Sequence, residues 1–242
     1  MRIRLHQPGL APGPLCLDPD NGHHLIKVLR ATTGTVVTLF DGQGLEADAV
    51  VADPNPKQCL VTVSRIEAIS RESPTPSRLI QALCLGDKMD WVVEKATELG
   101  VAAIQPVQAA RSQLRLEGDR ADKRRVHWQR IAAAAAAQSG RNQVPTVHPI
   151  LRLDAALAEF ASVPAPQTGW LLDPFARQTL TQAPLEGSLT IAIGPEAGWT
   201  DDEEQLACAH GFVGVRCGPR ILRTETAAAV VLAAIAARSG EF

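Results

Sequence analysis

Two short loops near the C-terminus carry glycine where a strand-like run gives way to a helix-like run. The first glycine loop covers residues 193–199 (IGPEAGW), and the second glycine loop covers residues 218–226 (GPRILRTET). Glycine lets the backbone pass close to a ligand or adopt a positive φ without a Cβ clash. Because open α/β sheets hold ligands at the carboxyl ends of their strands, the two loops predict a ligand site.

Helix signals follow both loops. After the first, Thr200 and Glu203 have the spacing of a capping box, in which each side chain bonds to the other residue's backbone N–H. After the second, an alanine-rich stretch reaches Arg238 without glycine or proline. We therefore expect helices over 201–210 and 224–238.

The rest of the sequence divides into two parts. Residues 1–70 show short alternating runs at 35–40, 45–51 and 58–66, typical of a small β-barrel. Residues 71–77 (RESPTPS) read as a linker because they carry two prolines and no periodicity. Beyond them, strand-like and helix-like runs alternate, which predicts an α/β domain with a mainly parallel sheet. The predicted strands are 79–85, 102–107, 168–172 and 189–193, and the further helices are 88–99 and 119–138.

The two glycine loops resemble the C-terminal signatures of the SPOUT methyltransferases, specifically the RsmE family, which methylates N3 of a uracil in small-subunit ribosomal RNA. Further blocks resemble this family in its order: residues 21–30 (NGHHLIKVLR), 94–101 (EKATELGV) with Pro106 and Arg111, and 138–142 (QSGRN). The resemblance implies a PUA-like, RNA-binding β-barrel at 1–70 and a SPOUT domain with a C-terminal trefoil knot at 78–242. Ala197 departs from the pattern, since the family usually has a second glycine there.

The same resemblance implies that S-adenosylmethionine is held by the glycine loops. Apolar side chains would flank the adenine while loop amides bond to its ring nitrogens. Arg223 is the first candidate for stabilising a developing uracil anion. Glu196 is a candidate proton acceptor or partner of the sulfonium, or simply a favourable charge near the following helix. The candidate cofactor residues are Leu172, Gly194, Pro195, Glu196, Ala197, Gly198, Gly218, Ile221, Leu222 and Thr224.

The charge distribution indicates RNA contacts although the net charge is −2 and the pI about 6.3. Residues 111–130 contain seven Lys or Arg against three acids, and a second basic set, beginning at Arg2, lies in the first thirty residues. The basic residues of the first set could instead form a solvated helix face, and Arg111 could form an internal ion-pair network with Lys95 and Glu98. Arg141 and Asn142 could contact RNA, reach a neighbouring subunit or form an exposed turn. The candidate RNA contacts are Arg4, His24, Lys27, Arg30, Arg111, Arg124 and Arg141.

The sequence lacks the motifs of several other protein classes. Five cysteines form no C-x-x-C pair and read as buried thiols, and His23-His24 has no third metal ligand, so no metal is expected. Residues 41–47 imitate a dinucleotide fingerprint, but a strand-like run follows, which indicates a hairpin. No apolar run is long enough for a membrane span, and no signal peptide is evident, which predicts a cytoplasmic protein.

The expected partners are 16S rRNA or the small ribosomal subunit, and the family resemblance implies a homodimer. Val92, Val93 and the helix at 228–235 would serve as its interface or simply as core. Two alternative functions stay open: a SPOUT enzyme acting on tRNA or on ribose 2′-oxygen, and a non-catalytic RNA-binding assembly factor.

Overall fold

The computed structural model describes residues 3–162 and 166–242, so Arg2 of the expected basic set lies outside the described residues. The chain forms two compact units. The first comprises Met1–Glu72 with Ala133–Val144, and the second comprises Ser73–Ala132 with Pro145–Phe242.

The first unit is built on a five-stranded sheet in the order β1-β3-β4-β5-β2. Its strands are β1 (Ile3–His6), β2 (Gly13–Cys16), β3 (Val36–Phe40), β4 (Leu45–Asp53) and β5 (Leu60–Ala68). Between β2 and β3 lie the short helix α1 (Pro19–His23) and a π-helical turn (His24–Val28). Inward side chains such as Val37, Leu39 and Val61 form a separate core, which explains the alternation in the sequence.

The hairpin between β3 and β4 is confirmed, because the two strands pair antiparallel. The Asp41 carboxylate accepts the backbone N–H groups of Gln43 and Leu45 at 2.7 and 2.9 Å, and Gly42 has a φ of 79°. A strand, rather than a helix, follows this turn, so residues 41–47 do not form a dinucleotide site.

Residues 140–144 belong to the first unit through buried hydrogen bonds. Asn142 accepts from the Arg4 guanidinium at 2.6 Å and donates to the Ile69 carbonyl at 2.9 Å. Arg141 forms an ion pair with Glu72 and is only 3% exposed. The expectation of an exposed turn at Arg141 and Asn142 is therefore wrong, because these side chains join segments far apart in the sequence.

The second unit contains an eight-stranded sheet with parallel pairings. Its order is β11-β13-β10-β12-β6-β7-β8, with β9 also paired to β7. The strands are β6 (Ser77–Ala82), β7 (Ala103–Gln108), β8 (Thr146–Val147), β9 (Leu151–Arg152), β10 (Gln167–Leu172), β11 (Gln178–Thr179), β12 (Ser188–Ile193) and β13 (Phe212–Arg216). The helices are α2 (Lys88–Glu98), α4 (Leu153–Ala161), α5 (Asp201–Ala209), α6 (Thr224–Arg238) and the part of α3 (Gly118–Ser139) that precedes residue 133, where the first unit begins.

The central strands of this sheet are buried on both faces, as parallel strands covered by helices usually are. On one face, α4 and α5 contribute Leu157 and Ala207 to a core that includes Ile80 and Ala192. Val92 and Val93 are fully buried, and α2 packs against α6. Of the two roles considered for these valines, the structure therefore shows the core role.

Two details differ from the sequence-based expectations. Cys59 and Cys84 are buried, but Cys16 and Cys208 are exposed, so the expectation of buried thiols holds for part of the set. The helices α1 and α4 and the strands β1, β2, β8, β9, β11 and β13 were not predicted. Within residues 3–162 and 166–242, no helix is long and apolar enough to cross a membrane, and no cluster of side chains could hold a metal ion.

Candidate active site

A pocket of about 500 Å³ lies at the carboxyl ends of β10, β12 and β13. The strands β10 and β12 run parallel, as do β10 and β13, so the segments that follow them emerge at one edge of the sheet. The pocket is lined by residues 172–175, 193–198 and 220–224, together with Lys88, Cys217 and Ala227. We call it the loop pocket.

The first glycine loop is shaped by a close approach of an aromatic ring. A Cβ at Gly194 would lie 3.2 Å from the Trp199 indole, so glycine leaves room for the buried ring to pack on the backbone. Gly198 has a φ of 71°, a conformation that disfavours other residues. Ala197 adopts no positive φ, since Arg30 is the only non-glycine residue to do so in the described part of the chain. A side chain is thus tolerated where the family usually has glycine.

The capping box after this loop is confirmed. The Glu203 carboxylate accepts the Thr200 backbone N–H at 2.9 Å, and the Thr200 hydroxyl accepts the Glu203 N–H at 3.2 Å. These bonds start α5 directly behind the loop. Glu203 also accepts the Ala110 N–H at 2.8 Å, so the segment after β7 is attached to the same point.

Arg111 braces the first glycine loop from that segment. Its Nη1 atom donates to the carbonyl oxygens of Trp199 at 2.6 Å and Ala197 at 3.2 Å. A guanidinium suits this role because its fixed geometry allows two carbonyl groups to be held at once. The residue was expected to contact RNA, or to join an internal network with Lys95 and Glu98. Lys95 instead pairs with Glu94 and Glu98 on its own helix.

Buried hydrogen bonds connect the two glycine loops. The Thr224 hydroxyl donates to the Gly194 carbonyl at 2.6 Å and accepts from the Gln81 side-chain amide at 3.0 Å. Gln81 on β6 is fully buried and Thr224 is 6% exposed. The first residue of α6 therefore holds the first residue after β12.

An ion pair lies at the edge of the loop pocket. The Lys88 ammonium donates to Glu196 Oε1 at 2.6 Å, and the Leu85 N–H donates to the same oxygen at 3.3 Å. Burial by itself would raise the pKa of Glu196, but the Lys88 and backbone hydrogen bonds hold it below its usual range. The hydrogen bond to Glu196 raises the pKa of Lys88. Glu196 is thus charged and paired, instead of lying in the first turn of α5.

Nine of the ten candidate cofactor residues line the loop pocket, and so does Arg223. Gly218 does not, but its φ of 86° lets the backbone turn into the second glycine loop. The sequence reasoning missed Lys88 and Gln81. Lys88 begins a predicted helix beside the end of a predicted strand, which was a usable signal, whereas Gln81 sits within an apolar strand and gave none.

Apart from Arg111, which contacts the first glycine loop, the candidate RNA contacts divide into two groups. His24, Lys27, Arg30 and Arg124 are exposed. Arg4 is engaged within the first unit, where its guanidinium contacts Glu46 and Asn142 and lies over the Phe40 ring. Arg141 is buried against Glu72. Because Arg4 and Arg141 form ion pairs with Glu46 and Glu72, we do not propose them as RNA contacts.

Comparison with known proteins agrees with these features. Residues 71–236 match the model of an RNA methyltransferase domain, and residues 17–64 match that of an RNA methyltransferase PUA domain. The chain therefore belongs to the class of RNA methyltransferases that have an α/β catalytic domain and a PUA-type domain.

Its relatives define the family more closely. The chain is 34% identical to ribosomal RNA small subunit methyltransferase E of Bacillus subtilis, covering 88% of this chain and 86% of that protein. It is 36% identical to the Synechocystis protein of the same name, over 88% of this chain and 69% of that protein. The crystal structure of the Neisseria gonorrhoeae methyltransferase E bound to S-adenosyl methionine matches with a TM-score of 0.91 at 36% identity, covering all of both chains. The chain belongs to the ribosomal RNA small subunit methyltransferase E family.

Proposed function

We propose that this protein transfers a methyl group from S-adenosylmethionine to N3 of a uracil in 16S ribosomal RNA. The observation that carries the proposal is the loop pocket, in which both glycine loops and Arg223 meet at the carboxyl edge of the sheet. Full-length relatives named for small-subunit rRNA methylation support the substrate, and the Neisseria structure with S-adenosyl methionine supports the donor.

The residues of the loop pocket fit this donor. Leu172, Ile193 and Leu222 offer apolar walls of the kind that pack on an adenine, while the glycine loops offer backbone polar groups for its edge. Asp173 provides negative charge for a cationic ligand, whereas the charge of Glu196 is paired with that of Lys88. When bound, S-adenosylmethionine supplies an electrophilic methyl group on a sulfonium.

Arg223 is the residue we assign to the uracil. Attack by N3 requires loss of the imide proton, which the weakly acidic imide releases to water, and this leaves negative charge on the base. A guanidinium stays protonated at every working pH and donates hydrogen bonds to carbonyl oxygens, so it stabilises that charge without competing for the proton. Arg223 is exposed at the pocket and directly precedes α6, which fixes its backbone. N3 lies on the pairing edge, so the base has to leave its stack to reach this point.

Glu196 suits an electrostatic role better than that of a proton acceptor. Its pKa is held below the usual range, and its Oε1 atom already accepts a hydrogen bond from the Lys88 ammonium. Lowering the pKa of a carboxylate makes it a weaker base. We therefore assign Glu196 to the ion pair with Lys88, which holds the first glycine loop.

Several finer features belong to the same proposal. The segments after β10, β12 and β13 meet at one pocket, which is consistent with a trefoil knot. The five-stranded sheet of the first unit is consistent with a closed PUA-like barrel. We further propose domains at 1–70 and 78–242 joined by 71–77, with residues 133–144 of the second sequence segment packed in the first unit. A homodimer and a cytoplasmic location are proposed on the basis of the family.

The direct test is transfer of a labelled methyl group to small ribosomal subunits that lack their own modification. We expect wild-type protein to label these subunits and Arg223→Ala to lose about 100-fold in rate, the usual cost of removing one donor to a developing anion. The control is Arg152→Ala, which removes an arginine that is 82% exposed and paired with Asp154. Normal rates in both variants would refute the assignment of Arg223.

The alternatives predict other results. Label on tRNA in place of small subunits would indicate a different substrate. An assembly factor without activity would fail to bind S-adenosylmethionine in a calorimetric titration, or would bind it without any transfer.

A further inference from the structure

We propose that Gln81 is a positioning residue for methyl transfer: its buried amide orients the Thr224 hydroxyl, which in turn fixes the first glycine loop and Arg223. The inference rests on the proposed function for its reaction but on buried hydrogen bonds for its geometry. Gln81 does not line the loop pocket, so it acts through Thr224.

The direction of the hydrogen bonds follows from the chemistry of the groups. The Gln81 Nε2 atom can only donate, so at 3.0 Å the Thr224 oxygen must be its acceptor. The single proton of that hydroxyl is then directed to the Gly194 carbonyl, 2.6 Å away, which can only accept. Reversal of this chain is excluded at both ends. The amide of Gln81 therefore sets the orientation of the hydroxyl.

The two hydrogen bonds of Thr224 hold the glycine loops firmly because they are buried. Gln81 is 0% exposed and Thr224 is 6% exposed, so water offers no substitute when a partner is removed. The Gln81 amide is itself held, since Nε2 also donates to the Ala82 carbonyl at 3.1 Å. The Gln81 amide on β6 therefore donates in a fixed direction to Thr224 in the second glycine loop.

Two parts of the site depend on this contact. Gly194 is the residue at which the first glycine loop leaves β12, and its backbone is also packed against Trp199. Thr224 follows Arg223 directly, so a shift of the threonine moves the backbone of the arginine. Removal of the contact should weaken donor binding through Gly194 and slow the reaction through Arg223.

The test is a double-mutant cycle on affinity for S-adenosylmethionine, measured by calorimetry with the full chain. Gln81→Met keeps the length of the side chain and removes its donor, and Thr224→Val keeps the shape and removes the hydroxyl. We expect each to weaken affinity about tenfold, which corresponds to one buried hydrogen bond. The double variant should lose little more than either single variant, because both remove the same chain of bonds. Thr224→Ser should restore affinity to within about threefold of wild type.

Gln105 provides the matched control. It is equally buried on the neighbouring strand β7, but its side chain bonds to Arg78, Pro106 and Pro149 instead of a glycine loop. Gln105→Met should lower the unfolding temperature without changing donor affinity by more than about twofold. A role of Gln81 in folding alone would make the two glutamine variants behave alike.

The turnover number kcat is the second quantity to measure. With donor and subunits saturating, Gln81→Met should still lower kcat, because Arg223 is displaced. The proposal is overturned if Gln81→Met binds the donor as wild type does, or if the losses in the cycle are additive. Failure of wild-type protein to methylate small subunits would refute the proposed substrate and leave the affinity cycle as the test of Gln81.

Discussion

Arg111 shows how a single residue can serve a site without lining it. Its guanidinium holds the carbonyls of Ala197 and Trp199, on either side of Gly198. A glycine at positive φ between two braced carbonyls has few other conformations available. Arg111 was expected to contact RNA because it belongs to a basic stretch of the sequence. The number of cations in a stretch does not show which of them already form hydrogen bonds within the protein.

We predict that Arg111→Ala weakens affinity for S-adenosylmethionine about tenfold, since two hydrogen bonds to the first glycine loop are lost. Arg111→Lys should recover only part of it, because an ammonium lacks the planar fork. Calorimetric titration measures both. The control is Arg115→Ala, which removes a neighbouring arginine that donates to the Ala110 carbonyl. Equal affinities of wild type and Arg111→Ala for S-adenosylmethionine would refute this role of Arg111.

At the scale of elements, the helices were the most predictable part of the fold. Helix α6 spans Thr224–Arg238 as expected, and α5 begins at Asp201 because the capping box is a local signal. Strand β13 was missed because its sequence, FVGVR, interrupts the alternation with glycine. The contact of Gln81 with Thr224 joins residues 143 positions apart, and no spacing in the sequence reports it.

A comparable long-range contact joins β4 to the segment after α3. Glu46 accepts hydrogen bonds from Arg4 and Arg71 at 2.8 Å each, and Arg71 also donates to the Gly140 carbonyl. Burial opposes ionisation of Glu46, but the two arginines outweigh it and lower its pKa to about 2. The carboxylate is therefore more stable in the folded chain than in the unfolded one.

This pKa predicts a pH dependence. The ordinary pKa of Glu46 is 4.5, so its contribution to the free energy of unfolding should be complete above that value and lost as the pH falls toward about 2. Glu46→Gln should cost about 2 kcal/mol at pH 7 and much less at low pH. Urea unfolding followed by circular dichroism measures this. The control is Glu67→Gln, at the residue of β5 that lies opposite Glu46 and pairs with the exposed Arg65. A cost that is independent of pH would contradict the assignment.

At the scale of the whole molecule, binding RNA with a net charge of −2 requires that positive charge be concentrated. Arg120, Lys123 and Arg124 are exposed on α3, at spacings that place them on one side of the helix. His24, Lys27 and Arg30 form an exposed set in the first unit. The exposed cations, and not the total number of cations, are what RNA can contact.

Salt dependence tests this distribution. We predict that removing Arg120 and Arg124 together, as glutamines, reduces the slope of log affinity against log salt by about 1.5 for small-subunit RNA, close to the loss of two phosphate contacts. The control, Arg65→Gln with Arg152→Gln, removes the same charge from exposed arginines that are paired with acids. An unchanged slope in the α3 variant would identify its cations as ordinary solvated surface.

The proposed reaction forms one bond, from the methyl carbon of the donor to N3 of a uracil in small-subunit RNA. The measurement that tests it most directly is mass spectrometry of nucleosides from small subunits incubated with wild-type protein and labelled S-adenosylmethionine. We predict label in N3-methyluridine, reduced about 100-fold with Arg223→Ala. Label on a ribose or on another base, or label in N3-methyluridine that is unaffected by the loss of Arg223, would contradict the account.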